Sequence, residues 1–365
     1  MKILFLSSFE GYGFAGPTYS VPCQIAAQSE LDEVFWYNFK VVDLQAWRTN
    51  PFYHDPSYFS FSMTAIEKLF GEPDLMILEG FYNFHPGRNL FNALKSGIPY
   101  IIVPRCSLTA GDQAKKKFKK IIGNALYYRT FAKKAVAIHY LTDAEREESG
   151  LRWNRRTIVL PNGIDSPNET VVPPFCSDGI KAVFIGRLEP YQKGIDLLLE
   201  AISIVKELLV AARFKLDLYG ESVGGSSDWI NERIAFLQIE ELVSCHAAVY
   251  GREKREILVQ SDLFILTSRY EGMPMGLLEA CSLGLPCLIT AGTHLGSDVR
   301  AENAGWVCNQ EINEISKLLV EAVDKSAYAC KSNGAKRVAD KYSWKRIAAK
   351  THDSYLRILD EAKDK

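Results

Sequence analysis

The 365-residue sequence has no dense cysteine framework, no clustered metal-ligand residues and no long hydrophobic run. Its eight cysteines include no Cys-x-x-Cys pair and its six histidines are dispersed, which excludes a disulfide scaffold and predicts no metal site. No apolar run approaches the ~18 residues that cross a membrane, and residues 3–6 are too short for a signal-peptide core. We therefore expect a cytoplasmic protein without a bound metal.

The sequence also lacks an excess of one charge sign, because 43 basic and 44 acidic residues leave a net charge of -1. This balance provides no general attraction for nucleic acid, and we expect no nucleic-acid partner. Residues 113–134 depart from it, with eight Lys and Arg residues, no acid, and interleaved Phe, Ile, Leu and Tyr. Such a segment can make peripheral contact with an anionic membrane, or it can be a solvated helix face packed on its own domain.

The sequence does contain a regular alternation of short apolar runs and amphipathic stretches, which is typical of α/β layering on parallel sheets. A polar, proline-bearing stretch at 166–179 interrupts the alternation. At roughly 100–200 residues per domain, the length also suggests two domains. We predict an N-terminal domain over 1–165, a C-terminal domain over 166–340, and a helical tail over 341–365 that can pack back on the N-terminal domain.

The apolar runs predict strands and the stretches between them predict helices. The predicted strands are 2–7, 34–37, 75–78, 100–103, 136–138, 157–160, 181–185, 214–219, 247–250, 263–267 and 287–290. The predicted helices are 17–29, 194–209, 228–238, 252–260 and 274–283.

A glycine-rich stretch after the first strand, Gly11–Gly16, formally matches the G-x-G-x-x-G dinucleotide fingerprint. Two features disfavour a nicotinamide or flavin site. Three residues separate the strand from the first glycine. The second predicted strand is followed by Asn38 rather than by an acid, since Asp32 and Glu33 precede it. The stretch is then either a loop whose amide groups approach a ligand or a plain turn.

Three features of the second half favour a ligand that carries phosphate and sugar. Arg187 and Lys193 lie around a helix start after a strand, where they can converge on a phosphate group. Residues 271–276 follow another strand and open a helix whose free amides suit ligand oxygens. Glu279 lies one turn inside that helix, so Glu271 and Glu279 can hold hydroxyls at two depths. Capping or solvation explains each feature alone, but the combination indicates a ligand site.

Together these motifs resemble the retaining, family 4 type glycosyltransferases (glycosyl transferases group 1). GRLEPYQKGIDLLLEA (186–201) resembles the family's G-R-L and K-G block, and 261–290 resembles the segment with the Glu, seven residues, Glu signature. PNGID (161–165) resembles the interdomain stretch and GPTYSV (16–21) the opening motif. The resemblance implies the GT-B fold, in which two Rossmann-like α/β/α domains face each other across a cleft.

The implied activity is hexosyl transfer, with retention, from a UDP-sugar or GDP-sugar to a glycan or lipid-linked glycan acceptor. The implied setting is surface polysaccharide, O-antigen, lipopolysaccharide or capsule synthesis, at the inner face of the cytoplasmic membrane. The nucleotide sugar is a substrate, so no cofactor is expected. Family members are thought to react on one face of the sugar, where the leaving phosphate oxygen takes the acceptor's proton. No residue is therefore assigned as a nucleophile.

The resemblance also implies roles for individual residues. Arg187 and Lys193 would hold the donor diphosphate and stabilise the departing nucleotide in place of a divalent metal. Glu271 would contact the transferred sugar, and Glu279 the ribose hydroxyls. Arg187, Lys193 and Glu271 are the catalytic candidates. The further donor-binding candidates are Gly16, Gly186, Gly272, Met273, Pro274, Met275 and Gly276.

Two positions of the first domain depart from the family pattern. Arg105 lies where the family often has a catalytic-site His, and Glu79 lies where a His precedes glycine. Both residues are either acceptor-side groups or structural ones. Two other functions stay open, a GT-B-like sugar-nucleotide epimerase and a non-catalytic sugar-nucleotide-binding protein, although the joint presence of two cations and two glutamates favours transfer.

Overall fold

The computed structural model describes residues 1–11, 16–84, 94–114, 116–165 and 179–363. The chain forms two compact units. The first unit comprises Met1–Gly163 and Trp344–Lys365, and the second comprises Ile164–Ser343. The proline-bearing stretch expected to link the domains lies, for residues 166–178, outside the described residues.

The first unit is built on a parallel sheet of seven strands in the described residues, in the order β3-β2-β1-β4-β5-β6-β7. Most of its strands are continuous apolar runs because helices cover both faces of such a sheet. The strands are β1 (Lys2–Ser7), β2 (Glu33–Asn38), β3 (Tyr53–His54), β4 (Leu75–Glu79), β5 (Tyr100–Val103), β6 (Ala137–Tyr140) and β7 (Thr157–Val159).

Short helices connect these strands, and two of them begin at a hydroxyl cap that accepts a backbone N–H, Ser62 and Thr142. The helices are α1 (Gly16–Gln28), α2 (Gln45–Arg48), α3 (Met63–Phe70), α4 (Ala110–Ala114), α5 (Lys117–Gly123), α6 (Arg129–Lys134) and α7 (Asp143–Ser149), with a π-helical turn at Asn124–Tyr128 between α5 and α6.

The second unit is built on a parallel sheet of six strands in the part described, in the order β10-β9-β8-β11-β12-β13. The chain therefore fills the sheet outward from β8 in one direction and then from β11 in the other. The strands are β8 (Ile180–Ile185), β9 (Phe214–Tyr219), β10 (Val243–His246), β11 (Leu263–Leu266), β12 (Cys287–Thr290) and β13 (Gly305–Cys308).

Helices cover both faces of the second sheet and enclose an apolar core. The helices of this unit are α8 (Ile195–Ile204), α9 (Lys206–Ala211), α10 (Ser226–Phe236), α11 (Gly251–Gln260), α12 (Met275–Ser282), α13 (Gly296–Ala301), α14 (Ile312–Ala322) and α15 (Tyr328–Lys341), with 3-10 turns at Ala291–Thr293 and Lys325–Ala327.

The last helix, α16 (Trp344–Lys363), packs on the first unit. Its Tyr355 is fully buried, and the hydroxyl lies 2.9 Å from Nδ1 of His139 in β6. The other ring nitrogen of His139 lies 2.8 Å from the carbonyl oxygen of Leu160. Burial lowers the pKa of His139 to about 4, so the ring is neutral at pH 7. In the described residues, no helix is long and apolar enough to cross a bilayer.

The structure differs from the sequence-based prediction at several places. Residues 247–250 are irregular, and the strand lies earlier, at Val243–His246. The helix predicted over 194–209 is interrupted at Val205, which divides it into α8 and α9. Strands β3 and β13 were not predicted, since β3 has only two residues and β13 begins at a glycine.

Candidate functional site

The loops that follow β8 and β11 form the candidate site of the second unit. These strands are neighbours in the sheet, but the chain continues from β8 to β9 on one side and from β11 to β12 on the other. In open parallel sheets the crevice at the carboxyl ends of such a strand pair is where ligands bind. Gly186–Gly194 follows β8 and Thr267–Pro274 follows β11. The fold therefore brings together two segments far apart in sequence.

Lys193 and Glu271 meet at this edge. Nζ of Lys193 donates to both carboxylate oxygens of Glu271, at 2.7 and 2.9 Å. The two side chains are only 12% and 7% exposed. The hydroxyl of Ser268 donates to Oε1 of the same carboxylate at 2.5 Å. The pair is thus a shielded, hydrogen-bonded ion pair whose atoms are held in place before any ligand arrives.

Gly194 lets the β8 loop approach the β11 loop. It has φ +62° and ψ +24°, in the left-handed region that favours glycine. A Cβ at this position would lie 1.9 Å from the carbonyl oxygen of Thr267. The hydroxyl of Thr267 donates to the carbonyl oxygen of Gly194 at 2.9 Å. This close contact fixes the neighbouring Lys193 opposite Glu271.

Arg269 ties the same two loops together from outside the ion pair. Its guanidinium donates to both carboxylate oxygens of Asp196, at 2.7 and 2.8 Å, and to the carbonyl oxygen of Tyr191 at 2.6 Å. It also lies 4.2 Å from the centre of the Tyr191 ring. The backbone N–H of Arg269 donates to the carbonyl oxygen of Gln192 at 2.9 Å. Arg269 therefore clamps the segment that carries Lys193.

Arg187 differs from Lys193 because it is open to solvent. Its side chain is 54% exposed, and its closest carboxylate oxygen, on Glu189, lies 3.8 Å away. It also donates to the side-chain oxygen of Gln192 at 3.1 Å. A guanidinium held this loosely keeps donors free for a phosphate.

The remaining donor-site candidates lie around the start of α12. Pro274 precedes this helix, and no side chain caps its first amides. Met273 and Met275 pack against the core, while a Cβ on Gly276 would lie 3.0 Å from the carbonyl oxygen of Ile185. Gly276 thus allows α12 to pack close to the end of β8. Gly186 donates its N–H to Tyr219 at 3.0 Å, and Gly272 is half-buried.

Glu279, on the second turn of α12, forms an ion pair with Lys254 of α11. Both side chains are partly exposed, at 32% for Glu279 and 21% for Lys254. Each glutamate of the signature therefore has its own lysine. Lys254 was not among the residues predicted from the sequence.

Glu79 and Arg105, at the carboxyl edge of the first sheet, are bound to each other. Nε of Arg105 donates to Oε2 of Glu79 at 2.8 Å, and the two other guanidinium nitrogens donate to Ser20 (3.2 Å) and Gln24 (3.0 Å) of α1. The side chains of Glu79 and Arg105 are 0% and 8% exposed. Oε1 of Glu79 has no hydrogen-bond partner in the described residues. The pair holds α1, which begins at the exposed Gly16, against the sheet.

The glycine loop that precedes α1 lies, for residues 12–15, outside the described residues. The acid Asp32 is at the opposite edge of the sheet, where its carboxylate binds the terminal amine of Met1 and Nδ1 of His352, both at 2.9 Å. Burial opposes ionisation, but hydrogen bonds from His352, the terminal amine and Gln28 outweigh it and lower the pKa of Asp32. Asn38, at the carboxyl edge, binds Ser7 at 2.7 Å. Asp32 therefore cannot hold a ribose at the carboxyl edge.

Among the described residues, no three His, Cys, Asp or Glu side chains come together in a way that could hold a metal ion. Sequence reasoning missed Ser268, Arg269 and Asp196, although all three lie inside the blocks that define the resemblance. Their signal was weak because a hydroxyl or an ion-pairing residue beside a loop is common anywhere on a protein surface.

Comparisons with known proteins find similarity to glycosyltransferases. Residues 167–337 match the sequence model of the family described as Glycosyl transferases group 1. One component of the human phosphatidylinositol N-acetylglucosaminyltransferase is 30% identical over 219 residues, covering 56% of this chain and 42% of that protein. The mannosylfructose-phosphate synthase of Agrobacterium fabrum is 31% identical over 130 residues, covering 34% and 28%. The chain thus spans less than half the length of either relative.

Among solved structures, Anabaena Alr3699/HepE in complex with UDP superposes with a TM-score of 0.72 at 15% identity, over 98% of this chain and 100% of that one. This likeness shows the fold. The protein has the GT-B fold, with two Rossmann-like units, each a parallel sheet flanked by helices.

Proposed function

We propose that this chain is a glycosyltransferase that moves a hexose from a nucleotide-sugar donor to a glycan or lipid-linked glycan acceptor, with retention and without a metal ion. The observation that carries the proposal is the Lys193–Glu271 pair, which joins the loops after β8 and β11 of the second sheet. Arg187 is exposed in the loop after β8 that also holds Lys193. The match of residues 167–337 to Glycosyl transferases group 1 supports it. We assign the reaction to the cytoplasm, at the inner face of the membrane, in surface polysaccharide assembly.

The two cations are proposed to bind the donor diphosphate. Arg187 supplies a solvent-facing guanidinium, and Lys193 supplies an ammonium group whose position is fixed by Glu271. The N–H of Gly276 in the first turn of α12 adds a donor for phosphate oxygens, whereas those of Met275 and Leu277 already donate to the carbonyl oxygens of Met273 and Pro274. Fixed positive charge around the leaving phosphate stabilises the departing nucleotide, which is the role a divalent metal has in other transferases.

The two glutamates are proposed to hold hydroxyl groups of the donor. Glu271 lies beside the predicted phosphate site and would accept from the transferred sugar, while Glu279 lies one turn further and would accept from the ribose. A UDP-sugar is favoured because the similar Anabaena structure holds UDP. The lysine partner of each glutamate holds the carboxylate in position for this task.

The transfer itself needs no protein nucleophile in this proposal. The bond between the anomeric carbon and the phosphate oxygen breaks as the acceptor oxygen approaches on the same face. The leaving phosphate oxygen then takes the acceptor's proton. A retaining glycosidase would instead need a carboxylate placed for attack on the sugar. Positioning and charge stabilisation by the second unit supply most of the rate in our proposal.

The test is a transfer assay with a panel of UDP- and GDP-sugars and a lipid-linked glycan acceptor, with and without a metal chelator. Nucleotide release and the anomeric configuration of the product are followed by NMR. We expect turnover with one donor class, retention, and no effect of the chelator. Tight nucleotide binding without turnover would contradict the enzyme assignment, inversion would contradict retention, and loss of activity with chelator would contradict metal independence.

The variant Arg187→Gln tests the cationic role without disturbing the core. We expect transfer to fall by about 10²–10³-fold, as is usual when one charge-stabilising donor is removed, with no change in the unfolding midpoint. The control is Arg252→Gln, which removes an exposed arginine of the same unit, 92% exposed and paired with Glu256 on its own helix. Equal activity in the two variants would show that Arg187 does not serve the reaction.

A further inference from the structure

The helical segment 116–134 of the first unit has an exposed side that lies outside the loops of the candidate site. The segment comprises α5, the π-helical turn and α6. Four of its residues, Asn124, Tyr128, Phe131 and Ala132, are buried against the sheet. The opposite side faces solvent, and we call it the basic face.

The basic face carries a row of large apolar side chains. Their spacing of three and four residues places them on one side of the helix. The four side chains are Phe118 (83% exposed), Ile121 (54%), Ile122 (62%) and Leu126 (79%). Single exposed apolar residues are normal on a protein surface, but neighbouring large ones mark a contact site.

Cations surround this apolar row. Lys120 is bound to Asp112 at 2.6 Å and lies 4.8 Å from the centre of the Tyr82 ring, so its charge is partly used. Within the part of the chain that the structure describes, the other cations of the segment form no ion pair. These exposed residues are Lys116, Lys117, Lys119, Arg129, Lys133 and Lys134. The basic face is therefore positively charged as well as apolar.

We propose that the basic face binds the surface of an anionic lipid bilayer. Its apolar side chains enter the boundary between headgroups and acyl chains, and its cations contact lipid phosphates. Anionic lipid complements both features at once, whereas a second copy of this chain would present the same positive charge and be repelled. Stable binding takes two signals, and the basic face supplies an apolar one and a polybasic one.

This proposal is independent of the transfer reaction, because its test needs no sugar donor. The full chain is sedimented with vesicles of phosphatidylcholine containing 30 mol% phosphatidylglycerol, and with vesicles of phosphatidylcholine alone. We expect binding to the anionic vesicles that weakens as salt rises, and at least about tenfold weaker binding to the neutral ones. Equal binding to both, or binding to neither, would overturn the proposal.

Two variants separate the signals. Lys116→Gln, Lys117→Gln and Lys119→Gln together should weaken binding strongly, at about fivefold for each cation. The matched control removes three exposed cations from α16, Lys345→Gln, Arg346→Gln and Lys350→Gln. An equal loss in the two triple variants would show attraction by overall charge and would overturn the assignment to this face.

The apolar signal is tested by Phe118→Ser with Leu126→Ser. Part of the wild-type binding to vesicles should persist at high salt, because apolar contacts are not screened. We expect the double variant to lose this salt-resistant part. The control is Phe236→Ser, which removes a 73% exposed ring from α10 of the second unit. If instead the double variant keeps full vesicle binding, or if the wild-type chain self-associates through this face and ignores vesicles, the proposal is wrong. Unchanged unfolding midpoints show that each variant is folded.

Discussion

Replacement of Gly194 by alanine tests whether the contact between the two loops of the second unit positions Lys193. The residue has φ +62° and ψ +24°, a conformation that costs an L-residue about 1–2 kcal/mol. The added methyl carbon would also lie 1.9 Å from the carbonyl oxygen of Thr267 and 2.8 Å from the carbonyl carbon. Backbone must move to relieve this overlap, which typically costs a further ~1–3 kcal/mol. We expect Gly194→Ala to lose about 2–5 kcal/mol of unfolding free energy.

A matched control isolates the steric part of this loss. Gly225 also precedes a helix, α10, and has φ +81° and ψ +16°. No atom lies within 4 Å of the position its Cβ would take. Gly225→Ala should therefore lose only the conformational ~1–2 kcal/mol. The difference between the two variants measures the overlap with Thr267.

The assay is chemical unfolding of both variants beside the wild type, together with the transfer rate. Because the backbone on either side of Gly194 carries Lys193 and α8, we expect its alanine variant to lose most of the transfer activity as well. Gly225→Ala should keep its activity. Equal losses of stability in the two variants would refute the reasoning, since they would show that the β11 loop yields to the methyl group without cost.

Two further predictions concern polar contacts. His139 has a pKa of about 4 in the fold, below its ordinary 6.5, so the unfolded chain takes up the proton first and the free energy of unfolding falls as the pH drops from about 6.5 to 4. His139→Gln should flatten this part of the plot of unfolding free energy against pH. An unchanged plot would contradict the assignment. Arg269→Lys keeps the charge but loses the two-point contact with Asp196, so the transfer rate should fall by about 10–100-fold while nucleotide still binds. An active Arg269→Lys variant would show that the clamp is dispensable.

The central strands of both sheets were predictable because their residues are buried on two faces and therefore form unbroken apolar runs. Of the four edge strands in the described residues, only β7 was. Within the described part of the chain, strand β10 (VSCH) pairs only with β9, and its serine is exposed, so its sequence lacks the expected run. Strand β13 begins at Gly305, where a Cβ would lie 1.9 Å from the carbonyl oxygen of Cys287. A glycine needed for close strand packing weakens the very pattern that predicts a strand.

The sequence identified the candidate site residues one by one, but it did not indicate which of them form pairs. Lys193 and Glu271 were predicted as separate ligand-binding groups, because they lie 78 residues apart in sequence. Adjacent strand ends bring them together, and Arg105 and Glu79 meet in the same way at the first sheet. Partly buried charges need partners. Removing one therefore perturbs the other.

This pairing changes how the lysine should be tested. Lys193→Met alone leaves the Glu271 carboxylate buried without its partner cation. Breaking a buried ion pair in this way lowers the free energy of unfolding by about 3–5 kcal/mol. Lost activity in that variant would mix catalysis with stability. The double variant Lys193→Met/Glu271→Gln removes both charges and should recover most of the unfolding free energy, yet remain inactive. Recovered stability together with recovered transfer would mean that neither charge serves the reaction.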